Sequence, residues 1–318
     1  MRRAILLLVL GIPFAYGGYV LWGLPARGDV RALALGNPVS TGVMRQREEE
    51  ARRKGRTLRP IRSWVPLSAV SRHVIHAVVA AEDPNFFGHA GVDWDAVKES
   101  VEADVRKRGF VRGGSTITQQ LAKNLFFTTH KSITRKLREF LVARWLEADL
   151  DKRRILELYL NVIEWGDGIY GCEAAARRYY GKPAGQLDEV EAAGLVAMIP
   201  SPRRLNPRAN AARHARAQRR VLWLMAHAGY LRRSAFGLGA EPPPEPVPED
   251  EEWALPAAEQ TPAAEPTLAP SLPPWPTDEP TLPPEESPSP TPPAEMPPPS
   301  PGATAVPTPT PTPPPTGS

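Results

Sequence analysis

The 318 residues carry 39 Lys and Arg against 35 Asp and Glu, but this +4 balance averages two unlike materials. Residues 241–318 hold 29 of the 39 prolines, 13 acids and no Lys or Arg, which leaves residues 1–240 with 39 bases against 22 acids, a net +17. So little apolar surface cannot offset ordering entropy, which excludes the tail from a packed core, and the single Cys172 excludes an intramolecular disulfide.

Met1-Arg2-Arg3 precede an uninterrupted non-ionic stretch from Ala4 to Pro25. About 20 apolar residues span a hydrocarbon core, and the flanking arginines mark the cytoplasmic end. The run is long for a signal-peptide core, and no small-x-small cleavage site follows it. It therefore reads as a retained transmembrane anchor at 4–25, with residues 1–3 cytoplasmic and the body exported. Residues 26–62 read as a polar connector near the headgroups, strongly charged from Arg45 to Arg59.

Pro66 to Ala81 repeats apolar residues at helical spacing (Val70, Val74, Ala77, Val78, Ala81), with Ser68 as the predicted N-cap. Trp94 to Arg108 reads as a second helix, and Lys107 to Gly114 as a basic, glycine-containing loop. Helical patterns continue over Thr116–Asn124, Ile133–Ala148, Lys152–Asn161, Glu173–Tyr180, Glu189–Ile199 and Ala211–Ala228. Alternating strand patterns are nearly absent. The expectation is an all-α domain over 63–235, followed by a disordered, partly polyproline II tail at 236–318.

The chemistry concentrates in two stretches. Ala81-Glu82-Asp83-Pro84-Asn85-Phe86-Phe87-Gly88-His89-Ala90-Gly91 sets an acidic pair at the end of an apolar helix. A carboxylate held against apolar side chains holds protons more tightly and serves as a general base, and Glu82 fits that description. Asp83 caps or orients the following turn, and His89 reads as a hydrogen-bonding structural histidine. Arg112-Gly113-Gly114-Ser115-Thr116-Ile117-Thr118-Gln119-Gln120-Leu121-Ala122-Lys123-Asn124 is a run of small and amide side chains. Its glycine-led helix entry is a place where backbone N–H groups meet an anion. Lys123, Arg135 and Lys136 supply cations suited to a diphosphate. Glu139, four residues after Arg135, is a second carboxylate that also satisfies an i,i+4 ion pair. The cations are not interleaved with aromatics as a stacking platform, so the basic body points to a membrane surface and a pyrophosphate rather than to nucleic acid.

These motifs resemble those of the peptidoglycan glycosyltransferases, family 51 of the glycosyltransferases. Lys152-Arg153-Arg154-Ile155-Leu156-Glu157-Leu158-Tyr159-Leu160-Asn161, with Gly166, Gly171 and Tyr180-Gly181-Lys182, looks like the family's fourth motif. Glu189 to Pro207 looks like its fifth, so the resemblance runs from about Trp64 to Tyr230. It implies a lysozyme-like helical domain with a small membrane-proximal jaw lobe. By position, Glu82 matches the general base and Glu139 the second essential glutamate. Asp83, Phe86, His89, Ser115, Gln119, Lys123, Asn124, Lys131, Arg135 and Lys136 match positions lining the donor and acceptor sites. Lys131 stands where the family usually has arginine, and Tyr180 where phenylalanine is common.

The implied reaction is inverting transfer of a lipid-linked glycan onto the 4-hydroxyl of lipid II, forming β-1,4 links and releasing undecaprenyl diphosphate. A divalent metal, magnesium or manganese, is implied by the resemblance alone. The implied partners are lipid II, nascent glycan, membrane lipids and wall-building (divisome or elongasome) proteins, with no nucleic acid. The implied location is the outer side of the bacterial plasma membrane. Three rivals are weighed. A murein-cleaving lytic transglycosylase or lysozyme is disfavoured by the cation cluster and anchor. A bifunctional penicillin-binding protein would need Ser-x-x-Lys and Lys-Thr-Gly motifs, yet no lysine follows Arg233. A wall-spanning scaffold would have no use for the carboxylate pair.

Overall fold

The computed structural model describes residues 2–107 and 114–240. The proline-rich residues 241–318 and most of the predicted loop between Lys107 and Gly114 lie outside the described residues. In chain order the helices are α1 (Arg2–Trp22), α2 (Arg27–Ala32), α3 (Gly42–Arg53), α4 (Arg72–Glu82), α5 (Trp94–Lys107) and α6 (Ile117–Phe126). There follow α7 (Ile133–Asp149), α8 (Lys152–Val162), α9 (Cys172–Tyr180), α10 (Glu189–Val196) and α11 (Ala211–His227). The described body is mostly helical, as its patterning predicts.

The helix starts follow from side-chain caps that satisfy otherwise orphaned N–H groups. Thr41, Thr116, Ser132, Asp151, Asp188 and Asn210 each accept from the N–H three residues on. Asp188 completes a capping box with Glu191. At α4 the cap is Ser71, not Ser68. Residues 67–69 form a 3-10 turn, and Val70 is extended and buried before the helix begins. The Ser71 hydroxyl accepts from His73 N–H at 3.2 Å and donates to the Leu187 carbonyl at 2.8 Å.

Two further differences concern the predicted connector and the strands. The stretch read as a polar connector contains α2 and α3, which pack against α7 and α6. A few apolar side chains (Val30, Val43, Met44) are buried there among many charges. Gly42 lets α3 come close: a Cβ at that position would lie 2.2 Å from the Phe127 carbonyl oxygen. There is also a small sheet in the order β1 (Ile61–Arg62), β3 (Ile169–Tyr170), β2 (Glu164–Gly166). β1 runs parallel to β3 with Ile61 opposite Ile169, and β2 runs antiparallel to β3. Strands this short leave no alternation to read.

The core is one cluster in which α4 packs on α10 and α11, and α6 packs on α7 and α8. Trp165, Tyr159 and Phe86 are its largest fully buried side chains. Each such burial contributes about 1.5–3 kcal/mol, so this cluster holds the helix ends that carry the polar residues. Among the described residues, no helix is long and apolar enough to cross a membrane. The end of α1 is held by α7: Tyr16 Oη lies 3.0 Å from Thr134 Oγ1, and Arg138 donates to the carbonyls of Val20 (3.0 Å) and Tyr19 (2.6 Å).

Candidate active site

Three helices bring the predicted residues together. α4 ends at Glu82 because Asp83 leaves helical geometry and Pro84 follows. Glu82 is half-buried, and its Oε2 accepts from Gln120 Nε2 on α6 at 2.8 Å. The Gln120 Oε1 in turn accepts from the Tyr159 hydroxyl on α8 at 3.0 Å. Tyr159 is fully buried, and burial, with the negative charges of Glu82 and Asp83, pushes its phenol well above the ordinary value.

Asp83 turns inward. Its carboxylate receives His89 Nε2 at 3.0 Å and the Ile117 N–H at 3.0 Å, which joins the end of α4 to the first turn of α6. Gly91 N–H donates to His89 Nδ1 at 3.1 Å, so the imidazole protonates at Nε2 and donates to Asp83. Burial raises the Asp83 carboxyl above its usual range, against the lowering pull of His89 and the Ile117 N–H. The Thr116 hydroxyl, donating to the Gly91 carbonyl at 2.7 Å, pins the same junction.

The cations gather on the next face. Lys136 Nζ donates to Ser115 Oγ at 2.7 Å and to Gln119 Oε1 at 3.0 Å, and lies 3.8 Å from Glu139 Oε2. Arg135 Nη1 is 3.3 Å from Glu139 Oε1 and donates to the Thr128 carbonyl at 3.0 Å. Burial lowers the Lys136 ammonium, with Glu139 opposing and Lys123 and Arg135 adding to the depression. Burial raises the Glu139 carboxyl, against the pull of Arg135, Lys136 and Lys123. Three cations thus share one buried carboxylate, an excess of positive charge that favours an anionic ligand. Arg135 Nε and Glu139 Oε1 are buried without a hydrogen-bond partner among the described residues.

The remaining predicted residues lie elsewhere. Phe86 is wholly inside the core, with Lys152 Nζ 4.4 Å above its ring. Asn124 is buried and donates to the Gln120 carbonyl at 2.8 Å, bracing α6. Lys131 is exposed on the segment before α7. The sequence assigns no separate role to Gln120 or Tyr159: Gln120 stands beside Gln119, and Tyr159 sits in the apolar run from Ile155 to Leu160, which reads as core.

Among the described residues one group has metal-ligating character: Asp83, His89 and Asp93 bring ligand atoms within 4.8 Å of one another. Its ligand atoms already carry hydrogen bonds. His89 uses both nitrogens as above, and Asp93 accepts from Asn85 Nδ2, Asp95 N–H and Ala96 N–H at 3.0–3.1 Å. A cation there would displace bonds that join α4, α5 and α6, so the arrangement does not fit a resident metal as it stands.

Residues 51–226 match the family described as Transglycosylase. A biosynthetic peptidoglycan transglycosylase of Azoarcus sp. (strain BH72) is 47% identical over 190 residues, covering 60% of this chain and 82% of the relative. One from Dechloromonas aromatica is 44% identical over 203 residues, covering 64% and 87%. One from Chromobacterium violaceum is 39% identical over 227 residues, covering 71% and 98%.

Proposed function

The chain belongs to the transglycosylase family, and on that premise we propose that it polymerises peptidoglycan glycan strands from lipid II. Glu82 takes the proton from the 4-hydroxyl of the acceptor N-acetylglucosamine. The freed oxygen attacks the anomeric carbon of the growing chain's N-acetylmuramic acid with inversion, forming a β-1,4 bond. The bond to undecaprenyl diphosphate breaks, and its oxygen carries away the electron pair. Lys123, Arg135 and Lys136 meet the charge that develops there, while Glu139 keeps these cations in one place and Ser115 and Gln119 hold Lys136. Asp83 and His89 fix the end of α4 that carries the base. No step is routed through a metal.

One observation carries this reading. Adjacent glutamines of α6 reach two ways, Gln120 to the carboxylate of Glu82 and Gln119 to the ammonium of Lys136. Two neighbouring side chains of one helix thereby touch the proposed base and the proposed cationic seat for the leaving group. The test is polymerisation of labelled lipid II by the purified protein. Glu82→Gln should lower the rate about a hundred-fold or more. Retention of most activity by that variant would refute the assignment.

The domain reading continues from the same premise. Residues 63–235 form the catalytic domain, lysozyme-like with a membrane-proximal jaw lobe, and residues 4–25 anchor it with the body on the outer face of the plasma membrane. The stretch from Ala4 to Pro25 without acidic or basic side chains supports the anchor, and the exposure of Phe14, Trp22, Leu35 and Val39 supports the membrane-facing lobe. Residues 236–318 act as a spacer or docking arm toward the wall, and membrane lipids and wall-building proteins are the partners.

A further inference from the structure

We infer that Tyr159 and Gln120 form a fixed relay that aims the Glu82 carboxylate, making both of them positioning residues for proton removal. The inference rests on the proposed role of Glu82 as base. A glutamine amide can present either its oxygen or its NH2 to a neighbour, and only the NH2 suits a carboxylate. Tyr159 locks that choice from the other end of the amide. Its hydroxyl is buried beneath the site and donates to Gln120 Oε1 at 3.0 Å, so Nε2 is left facing Glu82 at 2.8 Å.

Burial and the two nearby carboxylates keep the phenol protonated, so it remains available as a donor. Flipping the amide would set its oxygen against the Glu82 carboxylate and turn its NH2 toward the phenolic oxygen. The contact to the base would become repulsive, and the buried phenolic proton would lose its acceptor. The helix beneath is also held, because Asn124 donates to the Gln120 backbone carbonyl at 2.8 Å. A fully buried tyrosine on α8 therefore controls the direction of a half-buried carboxylate on α4, through a side chain of α6. Tyr159→Phe keeps the ring that fills the core and removes only the aiming hydroxyl.

The test measures polymerisation of lipid II by the full chain. Tyr159→Phe and Gln120→Leu should each lower kcat about ten- to hundred-fold, the scale of a misplaced reacting group, with KM for lipid II nearly unchanged. Glu82→Asp shortens the base by one methylene and withdraws it from Gln120. Adding Tyr159→Phe to Glu82→Asp should therefore cost little more than Glu82→Asp alone. A kcat of wild-type size in both Tyr159→Phe and Gln120→Leu overturns the relay. So do losses that multiply fully in the double variant, because they would mean that Tyr159 acts on the fold and not through Glu82. Gln120 is only half-buried, so its variant reads the relay even if Tyr159→Phe folds poorly. Failure of the base assignment is seen separately, as activity retained by Glu82→Gln.

Discussion

Arg47→Ala should unfold the protein at a much lower temperature, although Arg47 lies in a helix outside the catalytic motifs. Its Nε donates to Glu164 Oε2 at 3.0 Å, and its Nη1 to Glu50 Oε2 at 3.0 Å. The Glu164 side chain is only 5% exposed, and its Oε1 already lacks a partner among the described residues. Removing Arg47 leaves a buried carboxylate with only the Gly168 N–H and the charge of Arg203 to offset it, a change that costs about 3–5 kcal/mol, whereas the half-exposed Glu50 contact adds less than about 1 kcal/mol. At about 2–4 °C per kcal/mol for a domain of this size, the midpoint should fall about 6–20 °C in a thermal melt followed by circular dichroism. Burial already raises the Glu164 carboxyl, and Arg47 is the largest influence pulling it down. Without Arg47 the folded state holds that proton more tightly still. Stability from a raised carboxyl is present below its unfolded value and is lost as pH climbs through the folded one. The deficit should therefore be smaller at about pH 5 than at about pH 8. Replacing both partners, as Arg47→Met with Glu164→Leu, should recover most of the loss, since apolar pairs of similar size often match a buried ion pair. A single variant that melts within about 2 °C of the parent would refute the reasoning.

Lys123→Ala and Arg135→Ala should each reduce polymerisation about ten-fold or more, because the proposed mechanism uses each charge to meet the departing diphosphate. Lys131→Arg should stay within about two-fold, since that side chain is exposed and keeps its charge. Cys172 is fully buried and its thiol is pushed up to about 12, so iodoacetamide should alkylate it only after denaturation, as read by intact mass. Truncation after Ala240 should leave polymerisation in detergent nearly unchanged; abolished activity would place the tail inside the enzyme.

What the sequence discloses depends on how the fold spends its residues. The helices that supply the core repeat apolar positions over three or more turns, and α4, α6, α7, α8 and α11 are visible for that reason. α3 is not: Arg45 to Arg53 is almost entirely charged, and its docking depends on Val43, Met44 and the bare backbone of Gly42. β1 and β3 have two residues each, too few for any period. The Ser68 cap fails because two serines three apart flank Val70, the first apolar position of the run, and only the tertiary placement of Val70 decides between them. Within the site, Glu82, Lys136 and Glu139 are legible from charge in an improbable setting. The Gln120–Tyr159 contact is not, because it joins α6 to α8 across 39 positions and uses a tyrosine that also fills the core.

The parallel pairing of Ile61 with Ile169 also orders events in time. That ladder cannot form until everything from α4 to β2 has been made and gathered, and α2 and α3 likewise wait for α7 and α6. Closing so long a loop before any contact rewards it is entropically costly, and distant pairings of this kind slow folding. In a chain made from its N-terminus, Val30, Val43 and Met44 stay solvated while their partners are still unmade. The first part of the body to appear is thus fastened only after partners far along the chain have been made.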